Sequence, residues 1–417
     1  MPMKERIERA EARCADAFRR IEKIELYHTE RVLAAFQSHQ VASRHFAPTT
    51  GYGYDDVGRD TLERLFAALF GAEAGIVRPQ ITSGTHALSL CFFGLLRPGD
   101  KLLSVTGKPY DTLEEVIGIE SAAPGSLREM GVSYGQVEMT PDGQIDLDAV
   151  RKALLASPET RVVAVQRSRG YSLRRSLLPQ DIAPLSAMLK ADFPNAVLMV
   201  DNCYGEFVCR EEPTHFGADV CVGSLIKNPG GGLAPTGGYI VGREALIERI
   251  SYRLTAPGIG REVGSYAGSY QPFYQGLFLA PHVVAQALKT AVLASAVCED
   301  LGMATTPPSD EVRTDIIQAL TLGTPERLVA FCQGIQAISP IDSMALPEPW
   351  DMPGYQHQVI MAAGTFVSGA SIELSADAPM REPYAVYLQG GLTYSHGKLA
   401  ILRTMEAMAQ KGLLAEV

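Results

Sequence analysis

Apolar residues recur along this chain in two different rhythms. Near its start, Ile7, Ala10, Cys14, Phe18, Ile21 and Ile24 stand three or four residues apart, the spacing of one buried helix face. One or two amphipathic helices are predicted over residues 3 to about 40, an arm that would pack across its own subunit or a neighbour. A loop rich in Gly, Tyr and Thr follows at 48–58, then a predicted helix at 59–69. From about 74 to 245 the rhythm changes. Short apolar runs stand at 75–77, 101–105, 131–134, 161–165, 196–200, 220–222 and 238–241. Helical stretches such as 85–96, 147–156 and 182–191 separate several of them. Strands buried on both faces read as unbroken apolar runs, and their alternation with helices implies a mostly parallel sheet covered by helices. The predicted class is α/β.

A long helix is predicted over 276–300. It leads into a smaller α+β region with strands at 358–362 and 384–388 and helices at 324–338 and 396–410. The chain shows no internal repeat and no low-complexity linker. We divide it into a helical arm (1–45), a large domain (46–300) and a small C-terminal domain (301–417).

Composition narrows the classes of function. The 417 residues are 46% apolar and 20% charged, ordinary for a globular enzyme, and long enough for a large core. A net charge of −10 argues against nucleic acid or an anionic membrane as partner. The seven cysteines are scattered without a CxxC pair, which predicts buried thiols in a reducing cytoplasm and neither a disulfide framework nor a zinc site. The charged N-terminus lacks the apolar core of a signal peptide, and no uncharged apolar run reaches the length of a membrane span.

The candidate chemistry lies at strand ends, where open α/β sheets bind ligands. Asp201 closes the run 196–200. Lys227 follows the run 220–226 and leads into Pro229-Gly230-Gly231-Gly232. A lysine amine can form a Schiff base with the aldehyde of pyridoxal 5'-phosphate (PLP), while a carboxylate keeps the pyridine nitrogen protonated so that the ring accepts electrons. The apolar approach predicts a desolvated Lys227 with a lowered pKa. Ser83-Gly84-Thr85 opens a predicted helix, whose N-terminal N–H groups suit a phosphate, with hydroxyls from Ser83 or Thr85. Tyr110, just past a strand, can stack on a pyridine ring. Ser224, three residues before Lys227, can donate to the same phosphate. Singly, each also fits a plain cap, core or loop role. Their order along one alternating sheet is the signal.

That order resembles the fold-type-I PLP enzymes over about 50–280. Four segments resemble the methionine γ-lyase-like family in particular, whose members are also described as aluminium resistance or cystathionine β-lyase-like proteins. They are Ser83-Gly84-Thr85-His86-Ala87, Asp201-Asn202-Cys203-Tyr204-Gly205-Glu206-Phe207, Gly223-Ser224-Leu225-Ile226-Lys227-Asn228-Pro229-Gly230-Gly231 and Gln389-Gly390-Gly391-Leu392-Thr393-Tyr394. The resemblance implies a homodimer or homotetramer whose active sites are shared between subunits. It implies that Tyr54 reaches the neighbouring subunit's cofactor phosphate and assists catalysis there. The arginine that related lyases carry two residues later is replaced by Asp56, with Arg59 as a substitute. Those lyases also hold the substrate carboxylate with an arginine of the small domain, for which Arg381 is the candidate here. Arg167 and Arg169, after the strand at 161–165, are further candidates for holding a substrate carboxylate or the phenolic oxygen of the cofactor. His86 and His215 have no metal-ligand spacing.

The expected function is a PLP-dependent carbon–sulfur lyase acting on a sulfur-containing amino acid, by β- or γ-elimination, giving keto acid, ammonia and thiol. Lys227 would be the base, with Tyr110 and Tyr54 assisting. Aminotransferase, aldolase, racemase and non-catalytic PLP-binding readings stay open at this point.

Overall fold

A computed structural model describes residues 1–352 and 357–414. Helices α1 (Met3–Arg13), α2 (Ala15–Ser38) and α3 (Val57–Phe70) precede the sheet. Then follow β1 (Ala74–Arg78), α4 (Gly84–Leu95), β2 (Lys101–Ser104), α5 (Thr112–Ile117), β3 (Ser133–Gln136), α6 (Leu147–Ala156) and β4 (Thr160–Gln166). The alternation continues with α7 (Ala183–Asp192), β5 (Val197–Asp201), β6 (Val220–Ser224), β7 (Gly238–Gly242), α8 (Glu244–Leu254) and α9 (Gln271–Asp300). The seven strands lie in the order β1-β7-β6-β5-β4-β2-β3. Only β7 runs against its neighbours, so the mostly parallel sheet is as the apolar runs predict. Gln166, Asp201 and Val222 are lateral neighbours. The carboxyl ends of β4, β5 and β6 therefore share one edge, and the loops leaving that edge carry the candidate chemistry.

After α9 come β8 (Thr305–Thr306), β9 (Gln318–Thr321), α10 (Pro325–Ala337), β10 (Val359–Ala362), β11 (Ser375–Pro379), β12 (Ala385–Gln389) and α11 (Tyr394–Gln410). These five strands form an antiparallel sheet in the order β10-β11-β12-β9-β8. Helix α9 joins the two sheets. It is long and apolar enough to cross a membrane by length and composition, but 72% of its most apolar window is buried within the protein. An all-round apolar helix of this kind is a core element. The N-terminal arm packs on α9 of its own chain. Arg13 pairs with Asp300 and donates to Ala296 O, while Glu11 accepts from Tyr394 and Lys398 at 2.6 Å each.

One contact fixes the Lys227 loop against α9 without any side chain. A Cβ on Gly231 would stand 2.3 Å from the Gly276 carbonyl, and one on Gly276 would stand 2.2 Å from the Gly230 carbonyl. Only glycine permits so close a backbone approach.

Beneath the loops lies a buried polar network. Arg167 is fully buried, so the structure corrects the expectation that it binds substrate. Its Nε donates to Leu177 O at 3.0 Å. Nη1 donates to Asn202 Oδ1 at 2.6 Å and Gly205 O at 3.0 Å, and Nη2 to Thr314 O at 3.0 Å. Glu212 balances its charge from 3.9 Å and itself accepts from Asn202 Nδ2 and Phe207 N. Glu206, also fully buried, accepts from Tyr239 Oη at 2.8 Å on one oxygen, and its other oxygen has no partner among the described residues. Burial pushes its carboxyl up to about 8.

Two outcomes follow. Arg167→Met leaves buried carbonyls and Glu212 without their cation, and is expected to destabilise the chain by about 3–5 kcal/mol in urea unfolding. A loss below about 1 kcal/mol would return Arg167 to the list of substrate ligands. For Glu206 the folded pKa lies above the unfolded one. Its contribution to stability is full below about pH 4.5 and is lost as the pH rises through about 8. Unfolding of the ligand-free chain at pH 5 and pH 8.5 should therefore show a decline, on the order of 3 kcal/mol, that Glu206→Gln lacks. Equal declines in both proteins would refute the assignment.

Candidate active site

Asp201 is the last residue of β5, at the end of a strand otherwise fully buried. Its Oδ1 accepts the Cys203 N–H at 3.1 Å, which turns the chain sharply and holds the carboxylate at the sheet edge. Two non-glycine residues of the following loop are left-handed, Tyr204 at φ +76 and Phe207 at φ +63. Such backbone is sterically unfavourable and persists where surroundings impose it. Here Asn228 Nδ2 donates to the carbonyls of both Tyr204 and Glu206 at 3.0 Å, and Ile316 N donates to Tyr204 O at 3.2 Å.

Lys227 follows β6, and its Nζ rests over the Tyr204 ring, 4.0 Å from the centroid. Burial opposes its charge. The acidic side chains around it, Cys203, Tyr204, Asp201 and Glu206, outweigh burial and raise the amine above the ordinary lysine value. This reverses the lowered pKa expected from an apolar approach, because that expectation omitted the acids folded around the lysine.

The N-terminus of α4 meets this pair. Ser83 is its cap and accepts the His86 N–H at 3.0 Å. A Cβ on Gly84 would lie 3.5 Å from both Cys203 Sγ and Ser224 Cβ. Ser224 Oγ is buried and has no partner among the described residues. A fixed, buried, unsatisfied hydroxyl beside helix N–H groups fits a phosphate oxygen. Thr85 Oγ1 is instead engaged with Thr112 Oγ1 at 2.9 Å.

Tyr110 N donates to Gln166 Oε1 at 2.9 Å, which ties the Tyr110 loop to the end of β4. The Tyr110 ring lies 5.9 Å from that of Tyr171, and Tyr171 lies 5.3 Å from Tyr387 of β12. A cavity of about 620 Å³ opens beside Tyr110 and is walled by Arg169, Tyr171, Arg381 and His357. Gln166 and Pro109 line both this cavity and a narrow hollow that reaches Asp201. Arg169 is 3% exposed and donates through Nη1 to Thr306 O at 2.9 Å, while its buried Nε has no partner among the described residues. Arg381 donates through Nη2 to Tyr171 O at 2.9 Å and is otherwise exposed. The structure thus brings Arg169 and Arg381 to one cavity and places Arg167 elsewhere.

Tyr54 stands 62% exposed, its ring 5.5 Å from that of Tyr52. Asp56 caps α3 by accepting the Arg59 N–H and also accepts from Thr49 and Tyr270. Arg59 is buried, with Nη1 on Gly53 O at 2.7 Å and Nε on Asp60 at 2.7 Å. It shapes the Tyr54 loop of its own chain, which corrects the expectation that it replaces the missing phosphate arginine. Among the described residues no cluster of metal-binding type occurs.

Four residues of the site carried no role in the sequence reading. Tyr204 and Glu206 stood inside a quoted segment without a task. Tyr171 stood in a loop. Asp377 lies in β11, accepts from Gln389 Nε2 at 3.0 Å, and is pushed up to about 6 by burial, against hydrogen bonds from Tyr171 and Gln389 and the charge of Lys227. A lone acid flanked by Ala376 and Ala378 was the available signal.

The uncharacterized protein YnbB of Bacillus subtilis (strain 168) is 54% identical over 405 residues, 97% of this chain and 96% of its own length. The crystal structure of a carbon–sulfur lyase involved in aluminium resistance from Clostridium novyi NT superposes with a TM-score of 0.94 at 47% identity, covering 97% of this chain and 96% of that one. The L-methionine γ-lyase of Pseudomonas putida is 30% identical over 206 residues, 48% of this chain and 45% of that enzyme. At family level these likenesses point to carbon–sulfur lyases of the PLP type. The model of the methionine gamma-lyase family matches residues 3–409, and the chain belongs to that family.

Proposed function

We propose that this chain is a PLP-dependent carbon–sulfur lyase that eliminates a thiol from a sulfur-containing amino acid and releases keto acid and ammonia. One observation carries the reading. A half-buried lysine, a strand-end carboxylate, a helix N-terminus and an orphaned buried hydroxyl meet on one sheet edge.

Lys227 would hold the cofactor carbonyl. Asp201 would accept from a protonated pyridine nitrogen, and Ser224 with the first N–H groups of α4 would hold the phosphate. Tyr110 would cover the ring. When bound, the cofactor supplies an electron sink for the electrons released at the substrate's Cα. The work of the chain is then positional and protonic. Arg169, whose desolvated Nε lacks a partner among the described residues, binds the substrate carboxylate, with Arg381 across the same cavity as a second donor. Lys227, freed by the incoming amine, takes the Cα proton. Tyr110 is placed to protonate the departing sulfur. Exposed Tyr54 is presented to a second copy of the chain, consistent with a homodimer or homotetramer that shares its sites. All seven cysteines are free thiols, which accords with a cytoplasmic location.

Lys227→Ala should shift the absorbance of the bound cofactor from that of a Schiff base to that of the free aldehyde and lower keto acid release by roughly 10³-fold or more. Borohydride reduction that still fixes PLP covalently in this variant would sink the reading. Arg169→Leu should raise KM for L-cystathionine, L-methionine or L-cysteine, whichever is turned over, by at least about tenfold. Arg167→Met should act mainly through the fraction folded and change KM much less than Arg169→Leu does. The opposite pattern would exchange the two arginines.

A further inference from the structure

The Tyr204–Lys227 contact is not used by the mechanism above. Tyr204 is half-buried against the main core, and the Lys227 Nζ sits 4.0 Å from its ring centroid. Its backbone is held at φ +76, in the left-handed region that non-glycine residues rarely adopt. Three hydrogen bonds to two carbonyls enforce that shape, from Asn228, the residue next to Lys227, and from Ile316, just before β9. The strain turns the ring beneath the amine, and outliers of this kind cluster at functional sites.

We propose that Tyr204 is a positioning residue whose ring face stabilises Lys227 in its ammonium form as the amine takes the substrate's Cα proton, and so favours removal of that proton. The inference rests on the reading of Lys227 as the proton carrier. In that step the Cα–H bond breaks, an N–H bond forms on Nζ, and the bonding electrons stay with the substrate. The product is a cation in a partly buried place, where an aromatic face contributes more than in open water. Other groups also face this amine. Asp201 does so from the end of β5, Cys203 and Glu206 from the loop after it, and Asp377 from β11. A test must therefore isolate the ring.

A double-mutant cycle does so. Urea unfolding of the cofactor-free full chain would be compared for the wild type, Tyr204→Leu, Lys227→Met and the double variant. Tyr204→Leu should raise the unfolding constant about tenfold more with Lys227 present than in the Lys227→Met background. Tyr204→Phe, which keeps the ring and the same strained backbone, should show little of this coupling. In the PLP-loaded enzyme, exchange of the Cα proton of L-alanine with D2O, followed by NMR, should slow about tenfold in Tyr204→Leu and less than about twofold in Tyr204→Phe. Equal losses in both lysine backgrounds, equal losses for Leu and Phe, or wild-type exchange in Tyr204→Leu would each overturn the proposal. A wild type without visible absorbance or exchange would overturn the lyase reading instead, while the unfolding cycle would still decide the role of the ring.

Discussion

The site depends on one buried guanidinium. Arg167 leaves β4 and reaches four parts of the chain: the Leu177 loop, the side chain of Asn202, the backbone at Gly205 and the Thr314 carbonyl ahead of β9. Asn202 and Gly205 bracket Tyr204, so the same cation that closes the interior also fixes the loop that begins at Asp201. A planar fork with five donors can satisfy this many fixed carbonyls, and a lysine cannot. Remove that cation and its acceptors become buried polar groups without partners. Those acceptors set where the carboxylate and the aromatic ring stand.

Much of the large sheet was legible because its strands are doubly buried. Runs such as Val197-Leu198-Met199-Val200 have no polar interruption, and their order gives the edge on which ligands bind. The second sheet was only half visible. β11 is built of Ser375, Ala376, Asp377, Ala378 and Pro379, small or polar residues that carry no strand signal and gain their pairing from β10 and β12. The arginines show the same limit at a single site. Arg167 and Arg169 are two residues apart just past a strand, and sequence offers no reason to separate them. One is consumed by four interior acceptors and the other borders a cavity, a difference set by loops about 10 to 145 residues away. Tyr204 was hidden for a further reason. Its role depends on a left-handed backbone that only the packed loops impose.

Around Lys227 the protein gathers acids whose ionisation burial opposes. Glu206 and Asp377 are both raised by desolvation, and Lys227 is raised despite it. The ammonium and the acids are therefore mutually dependent. Each makes the charged state of the other tolerable in a poorly solvated interior. Asp377 adds a group from the second sheet to this balance, so the electrostatics of the lysine belong to both halves of the molecule.

The glycine contact between the Lys227 loop and α9 has a mechanical meaning. Gly230 and Gly231 touch Gly276 through backbone atoms alone, and α9 runs on unbroken to Asp300, where the second sheet begins. Side-chain contacts yield by changing rotamer. A backbone-on-backbone contact has no such slack. The helix is a rod about 45 Å long, with the lysine loop clamped near one end and the second sheet attached at the other. Pro281, five residues past the clamp, lacks one intrahelical hydrogen bond and is the point at which this rod can bend, so the second half of the molecule is tied to the lysine loop through one weakened turn. Any rotation of it carries the lysine as well, or must be absorbed in that turn or in the loops of the other strand ends.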